Sequence, residues 1–247
     1  AGLRAQGFDV RGAPGNDMAP GDVLVIWNRY LDMHELANRA EAAGASVIVA
    51  ENGYLGVNRS DRKVYAMADG YHNGRGCWHI GGADRFAAMG ISLQPWRTAG
   101  KHVLVCPNRE FGTPGGIQPG MFAEKMASHL STLTRRPIRV RPHPGNGPPK
   151  KPLADDLADA WAVVIWSSSA GVDALVAGIP VFCMSPYWIC KSASLSNLKQ
   201  IDAPPVDTID RAKAFRALAW AQWHLDEITA GVPFEYLTRR PVQFAPG

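Results

Sequence analysis

Short apolar runs alternate with amphipathic stretches along most of the chain. The runs from Val23 to Trp27 and from Val47 to Ala50 have the length and the β-branched content of buried strands. Between them, apolar residues recur at helical spacing from Leu31 to Ala43, and Gly44 follows as a stop signal. This succession predicts a β-α-β unit with short connections, which is the building block of an open parallel sheet.

A second α/β series begins after a loop-rich region that extends from residue 59 to residue 100. In this second series, strands are predicted at 103–106, 137–141, 162–166 and 180–184, and helices are predicted at 121–133, 152–160 and 170–177. A final stretch from residue 210 predicts one long helix ended by Gly231. We therefore expect an α/β fold of two small, doubly wound, Rossmann-like lobes whose parallel sheets face a cleft. The N-terminal lobe covers residues 1–98, and the C-terminal lobe with the closing helix covers residues 99–247.

Composition narrows the class of protein. The apolar share is 46% and the charged share is 19%, which is typical of a globular chain and argues against disorder. No apolar run approaches the roughly 20 residues that a membrane span needs. The four cysteines show neither CxxC pairing nor metal-ligand spacing with histidines, which favours a reducing cytoplasm. The net charge of +4 permits an anionic partner such as a nucleotide or DNA without requiring one.

Ligands of open α/β sheets bind beyond the carboxyl ends of the strands, so the residues at those ends are the candidates for chemistry. Ser167, Ser168 and Ser169 lie between a predicted strand and a predicted helix. Hydroxyls at a helix N-terminus are suited to a phosphate, and we expect Ser168 and Ser169 to face it. One serine is enough for an N-cap, so capping alone is the alternative. Because GxSxG is absent, a nucleophile elbow is excluded.

The next strand-end candidate is His143, which lies between Pro142 and Pro144. The two prolines restrict the backbone, so the imidazole is rigidly placed. Such a ring can donate to a phosphate or to a sugar hydroxyl and can stabilise a leaving group. A histidine in a surface turn is the alternative interpretation. Asn108 and Arg109 follow the preceding predicted strand at the same edge.

Glu51 ends an otherwise apolar strand, and Gly53 allows a tight turn after it. The pKa of a carboxylate at a partly buried strand end can be raised, and the group can then act as a general base toward an acceptor hydroxyl. The alternative is an exposed glutamate in a turn, or one paired with Arg59 or Arg62.

These three features, in this order, resemble the motifs of GT-B glycosyltransferases, in particular bacterial capsule-polysaccharide and Kdo transferases and bacterial sialyltransferases. Those families use an acidic-Gly motif that supplies the general base, and an HP motif and a serine motif that hold the donor nucleotide and its phosphate. Glu51 and Gly53 match the first motif, although Asn52 stands where a second acid is often found. His143 and Pro144 match the second motif.

The serine motif is matched by Ser167 to Ser169, and the following GVDALVAGIPVF is similar to the G-x-x-A-L-x-x-G-x-P-V tail of these families. In that tail Asp173 takes the place of a glutamate that commonly contacts the ribose. The resemblance implies an inverting, metal-independent transferase with a UDP- or CMP-sugar donor and no covalently bound cofactor. Together with the strand ends, it implies these site residues: Glu51 and His143 in catalysis; Asn108, Arg141, His143, Pro144, Ser167, Ser168, Ser169 and Asp173 toward the donor; Asn28, Asn52, Gly53, Arg59, His72 and Arg75 toward the acceptor.

The segments ENGYLG and LAWAQWHLDEITAG further look like glycosyltransferase-like proteins of bacteriophages, which decorate hydroxymethylated bases of their own DNA. This likeness implies a 5-hydroxymethylated pyrimidine in double-stranded DNA as the leading acceptor and the cytoplasm of a bacterial host cell as the location. A DNA acceptor needs a basic face and a pocket for an extruded base. The candidates for that face are Arg59, Arg62, Arg75 and Arg85, with Tyr71 and Trp78 nearby. A solvated loop surface would have the same composition.

Two alternatives stay open. One is a transferase of capsule or lipid-linked glycan synthesis, and the other is a non-catalytic nucleotide- or DNA-binding protein of the same fold. The absence of a P-loop and of GxGxxG after a strand argues against kinases and dehydrogenases.

Overall fold

The computed structural model describes residues 1–12, 17–56, 63–109, 112, 115–146 and 151–239. Contacts divide the chain into two compact units. Unit 1 combines Ala1–Gly90 with the segment that begins at Phe215, and unit 2 consists of Ile91–Ala214. The segment from Phe215 therefore belongs to the first unit, whereas the sequence pattern predicts that it lies with residues 99–247 in the C-terminal lobe.

The helices and strands alternate through most of the described chain. The strands are β1 (Val23–Trp27), β2 (Ser46–Asn52), β3 (Val64–Asp69), β4 (His102–Cys106), β5 (Ile138–Val140), β6 (Ala160–Ile165), β7 (Val181–Cys183) and β8 (Gln222–His224). The helices are α1 (Gly2–Ala5), α2 (Asp32–Ala42), α3 (Asp84–Ala88), α4 (Phe122–Ser131), α5 (Leu153–Ala158), α6 (Ala170–Val176), α7 (Arg211–Ala221), α8 (Leu225–Ala230) and α9 (Val232–Arg239). None of these helices, over the residues described, is both long and apolar enough to cross a bilayer.

Unit 1 contains a mixed sheet with the strand order β1-β2-β3-β8. β1 and β2 pair in parallel and α2 connects them, which confirms the predicted β-α-β unit. Apolar residues of α2, such as Leu36 and Ala40, pack on Leu24, Val47 and Val49 of these strands. β3 is antiparallel to β2, and β8 is antiparallel to β3. The sheet of this unit is therefore not the parallel one that we expected, because the apolar segment that forms β3 lies within the region predicted as loops.

The C-terminal stretch is interrupted by β8 and does not form the single helix that its pattern predicts. The side chain of Gln222 explains the interruption, since its Oε1 accepts the N–H groups of Tyr54 and Leu55 at 3.0 Å and its Nε2 donates to the carbonyl of Leu55 at 2.9 Å. After β8, Glu227 accepts the N–H of His224 at 2.8 Å and so caps α8. Long-range pairing with β3 therefore outweighs the local helical pattern.

Unit 2 contains a parallel sheet with the strand order β5-β4-β6-β7. The helices α4, α5 and α6 connect its strands in turn, as the sequence predicts. Its core is fully buried at Val105, Val164 and Phe182, and Phe122 and Leu130 of α4 pack against it. Because all four strands point the same way, the residues that follow them meet at one edge of the sheet.

The buried amide of Gln222 provides a test of the unit 1 fold. We expect Gln222→Ala to lower the free energy of unfolding by about 3 kcal/mol, because two N–H groups and one carbonyl in the interior lose their partners. Urea unfolding followed by tryptophan fluorescence measures the change. The matched control is Gln94→Ala, which removes an exposed amide with one 3.5 Å contact and should cost less than about 0.5 kcal/mol. An equal loss of unfolding free energy in the two variants would contradict the stabilising role of the Gln222 amide.

Candidate functional site

The unit 2 site lies at the carboxyl edge of the parallel sheet and comprises the segments 107–109, 141–146 and 166–169. Asn108 links the first segment to the last, since its Oδ1 accepts the N–H of Ser167 at 3.0 Å and its Nδ2 donates to Ser167 Oγ at 3.3 Å. Ser167 is only 7% exposed. The hydroxyl of Ser167 therefore connects two strand-end loops within the protein.

The other two serines have different environments. Ser168 is half-buried, and its Oγ accepts the N–H of Ala170 at 3.3 Å at the start of α6. Ser169 is exposed at the N-cap position and makes no capping bond through its side chain. The hydroxyl of Ser168 therefore satisfies one free N–H group at the start of α6, and Ser169 has a hydroxyl at the surface of this edge. That Ser168 and Ser169 face a phosphate stays a prediction.

His143 presents an imidazole with a defined tautomer. Its Nδ1 accepts the N–H of Gly145 at 2.9 Å, so the neutral ring carries its proton on Nε2. Burial and then the nearby charge of Arg109 lower the pKa of His143, which favours the neutral ring. The Nε2–H group is then a hydrogen-bond donor for a ligand at this edge.

Arg109 lies against the same turn. A Cβ atom on Gly145 would come within 2.2 Å of Arg109 Nε, so the absence of a side chain at Gly145 makes room for the guanidinium. Arg109 is exposed, and its charge lies beside the imidazole of His143. The turn after β5 and the loop after β4 therefore place a cation and a neutral donor next to each other.

Arg141, which the resemblance implies as a donor ligand, is engaged within the protein. Its guanidinium forms an ion pair with Asp156 and donates to the carbonyl of Lys151 at 2.9 Å. Lys151 also contacts Asp156, with 2.8 Å between Nζ and Oδ1. These contacts attach the segment after β5 to α5. Pro144 and Asp173, the other predicted donor residues, are exposed.

The unit 1 site lies around the end of β2, where backbone N–H groups of two neighbouring loops donate hydrogen bonds. The N–H of Asn28 donates to the carbonyl of Ala50, the residue before Glu51, at 2.8 Å. The N–H of Arg29 donates to Nδ1 of His72 at 3.3 Å, and the N–H of Asn73 donates to Oε1 of Glu51 at 2.8 Å. The turn after β1, the end of β2 and the loop after β3 therefore meet at Glu51.

The carboxyl group of Glu51 is held on one side only. Tyr54 donates its hydroxyl to Oε1 at 2.5 Å, and Asn73 donates to the same oxygen, whereas Oε2 accepts no hydrogen bond from the described residues. Burial raises the pKa of Glu51 to about 7, although both hydrogen bonds act in the opposite direction. An exposed turn glutamate does not have such a pKa, whereas a general base operating near neutral pH does.

Arg29, which no sequence motif points to, holds the loop of residues 70–76 in place. It is fully buried, and its guanidinium donates to both carboxylate oxygens of Glu41 at 2.5 and 2.6 Å, to Asn38 Oδ1 at 2.8 Å and to the carbonyl of Gly70 at 2.6 Å. The ring of Tyr71 stacks on it at 4.0 Å. No local pattern distinguishes such an arginine from a surface one. Tyr54 and Asn73 likewise show no local sequence signal, because their contacts with Glu51 are visible only in the structure.

The remaining acceptor-side predictions have mixed environments. Gly53 donates its N–H to the carbonyl of Val64 at 2.9 Å, and a Cβ atom on Gly53 would lie 2.9 Å from that oxygen. Asn52 is exposed at the end of β2. The guanidinium of Arg75 stacks on the ring of Tyr71, in the same loop, at 3.8 Å. Arg59 lies outside the described residues.

Metal ligands and cavities do not add to either site. Over the described ranges, no three His, Cys, Asp or Glu side chains lie close enough together to hold a metal ion, and metal independence stays a prediction. A cavity of about 610 Å³ is lined by residues 131–137 together with Lys101 and Asp202. A second cavity of about 460 Å³ lies between the N-terminal segment and β1. Neither lining includes a predicted site residue.

The comparisons with known proteins support the fold class. No family model and no curated protein matches the chain. Two solved structures of KpsC from Thermosulfurimonas dismutans are similar to it. The β-Kdo 2,7 transferase is 16% identical, with 86% of this chain and 85% of that one covered and a TM-score of 0.52. The β-Kdo 2,4 transferase is 13% identical, with 83% and 82% covered and a TM-score of 0.53. At these identities the likeness shows the fold alone, and it confirms the expected GT-B-like α/β class with Rossmann-like units.

The hydrogen bond from Tyr54 provides a test of the unit 1 site. We expect Tyr54→Phe to raise the pKa of Glu51 further, because one of the two bonds that lower it is removed. A ¹³C NMR titration of glutamate-labelled protein measures this pKa, with Glu51→Gln assigning the signal. Tyr65→Phe is the control, since the ring of Tyr65 packs edge-on against Trp27 and lies on β3. An unchanged Glu51 pKa in Tyr54→Phe, or an equal rise in the control, would show that the hydroxyl does not influence the carboxylate.

Proposed function

We propose that the chain is a glycosyltransferase that moves a sugar from a nucleotide sugar to an acceptor hydroxyl. The observation that carries the proposal is Glu51, a carboxylate with a pKa of about 7, one oxygen held by hydrogen bonds and the other open. The likeness in fold to KpsC, a β-Kdo transferase, supports the transfer of a sugar.

In this proposal the unit 2 site binds the donor, a UDP- or CMP-sugar. The phosphate of such a donor is anionic, and charge-assisted hydrogen bonds stabilise it best. Arg109 supplies the positive charge, His143 supplies the Nε2–H donor, and Ser169 supplies a surface hydroxyl. These groups take the place of a metal ion in stabilising the departing phosphate.

Glu51 acts as the general base toward the acceptor. Its Oε2 takes the proton of the acceptor hydroxyl while that oxygen attacks the anomeric carbon of the donor sugar. The bond between the anomeric carbon and the phosphate oxygen breaks in the same step, and the electron pair leaves with the nucleotide. One in-line displacement of this kind inverts the anomeric configuration, and the protonated Glu51 then returns its proton to solvent.

The acceptor that we propose is a saccharide hydroxyl, which is the glycan alternative of the sequence analysis. A hydroxymethylated pyrimidine in phage DNA has no support among the described residues. Of the groups named for a DNA-binding face, Arg85 pairs with Glu227 at 2.7 Å, Arg75 stacks on Tyr71, and Trp78 is 1% exposed. These side chains are committed to contacts within the protein.

Donor binding tests the unit 2 site. We expect Arg109→Ala and His143→Ala each to weaken binding of CMP-Kdo or of a UDP-sugar about tenfold, because each removes one hydrogen bond to the phosphate. Isothermal titration calorimetry measures the affinities. Arg135→Ala is the control, because Arg135 is an exposed arginine before β5, at the opposite end of that strand. Equal affinity in wild type and Arg109→Ala would place the donor elsewhere.

Turnover tests the proposed base. Wild-type protein is incubated with a panel of nucleotide sugars and with saccharides or hydroxymethylated DNA as acceptors, and mass spectrometry detects the sugar increment. Glu51→Gln should lower kcat by a factor of about 10² to 10⁴ while donor affinity is kept. Because the base works only when ionised, kcat/KM of the wild type should fall as the pH drops below about 7.

Two results would contradict this proposal. Full turnover in Glu51→Gln, or a flat profile of kcat/KM through the pKa of Glu51, would exclude Glu51 as the base. A sugar increment on DNA and on no saccharide would instead reverse the choice of acceptor.

A further inference from the structure

His72 lies in the loop after β3, and the same loop also contacts Glu51. The next residue, Asn73, donates its N–H to Oε1 of Glu51 at 2.8 Å, and the His72 ring accepts the N–H of Arg29 at 3.3 Å. Asn28, which precedes Arg29, is bonded to the residue before Glu51. The turn after β1 and the loop after β3 therefore contact both the imidazole of His72 and the β2 segment that carries Glu51.

The hydrogen bond to Nδ1 defines the chemistry of the His72 ring. With Nδ1 occupied as an acceptor, the neutral ring carries its proton on Nε2 and can act only as a donor there. Burial, followed by the charge of Arg75, lowers the pKa of His72 to about 4. The ring is therefore neutral wherever Glu51 is ionised. Within the part of the chain that the structure describes, Nε2 donates to no protein group, and the residue is half-buried.

The loop holds this arrangement before any ligand binds. Asn73 has a φ of 49°, in the left-handed region, where asparagine is enriched among residues other than glycine. The buried guanidinium of Arg29 binds the carbonyl of Gly70 and stacks on Tyr71, both in the same loop. Contacts within the protein therefore keep the loop that carries His72 and Asn73 in place.

We propose that His72 and Glu51 together recognise two neighbouring oxygens of a saccharide acceptor. Oε2 of Glu51 takes the proton of the reacting hydroxyl, and Nε2–H of His72 donates to the oxygen on the adjacent carbon. This inference rests on the proposed function and narrows its acceptor to a sugar with oxygens on adjacent carbons. His72 is a specificity-determining residue in this arrangement, since it orients the acceptor and exchanges no proton.

Two substitutions distinguish the role of Nδ1 from the role of Nε2 in the His72 ring. In His72→Asn, the amide oxygen occupies the position of Nδ1 and still accepts from Arg29, but no group replaces Nε2. In His72→Gln, the amide nitrogen reaches the position of Nε2 and supplies a donor there. We expect His72→Asn to raise the KM for the acceptor about tenfold, with donor affinity and the pKa of Glu51 unchanged. His72→Gln should restore the KM to within about threefold of the wild-type value.

The test uses the saccharide that accepts a sugar in the donor panel, together with its analogue in which the neighbouring hydroxyl is replaced by hydrogen. With the deoxy analogue, wild type and His72→Asn should have the same KM, because the contact is already absent. The inference is wrong if His72→Asn raises both KM values equally, or if it lowers kcat or donor affinity and leaves the acceptor KM unchanged.

A measurement on the ligand-free protein separates this inference from the proposed function. Long-range ¹H–¹⁵N spectra of histidine-labelled protein at about pH 6 should show His72 as the neutral Nε2–H tautomer, with His72→Asn assigning the signals. An Nδ1–H tautomer or an imidazolium overturns the inference even if transfer is observed. If the Nε2–H tautomer is found but no saccharide accepts a sugar from any donor, the proposed function fails, and the acceptor role of His72 fails with it.

Discussion

The buried guanidinium of Arg29 is the interaction on which the unit 1 site depends. A cation without access to water is costly unless hydrogen bonds and a counter-charge compensate for it, and Glu41, Asn38 and the carbonyl of Gly70 do so here. These acceptors lie on α2 and on the loop after β3, while Arg29 itself follows β1. The three segments are therefore fixed relative to one another, and the N–H groups that bind Glu51 and His72 are fixed with them.

Each unit presents a neutral histidine in the same way. His72 accepts a backbone N–H from Arg29, and His143 accepts one from Gly145, so that Nε2 carries the proton in both. Burial, with a nearby arginine, lowers the pKa of both rings. Charge beside the two rings therefore comes from other groups, namely the carboxylate of Glu51 and the guanidinium of Arg75 in unit 1 and the guanidinium of Arg109 in unit 2.

The elements that the sequence predicts well are those stabilised by near neighbours in the chain. The β1-α2-β2 unit and the alternating series of unit 2 follow from local periodicity, because each helix packs on strands that directly precede or follow it. The pairing of β3 with β8 joins Tyr65 to Trp223, and no window of sequence contains both. The loop-rich region and the closing helix were misread for that reason, and the mixed character of the unit 1 sheet was missed with them.

The sequence by itself determined which residues follow the strands, and hence that Glu51, His143 and the serines lie at strand ends, because strand direction follows from the β-α-β pattern. Only the tertiary structure decided what each side chain does there. Ser167 binds Asn108, which is 59 residues away in the sequence. Arg141 is paired with the carboxylate of Asp156, which is 15 residues away. The environment of Glu51 likewise depends on Tyr54 and on a loop held by Arg29. Burial and hydrogen-bond partners are properties of segments that meet in space, and they set the pKa and orientation of a group that periodicity can only locate.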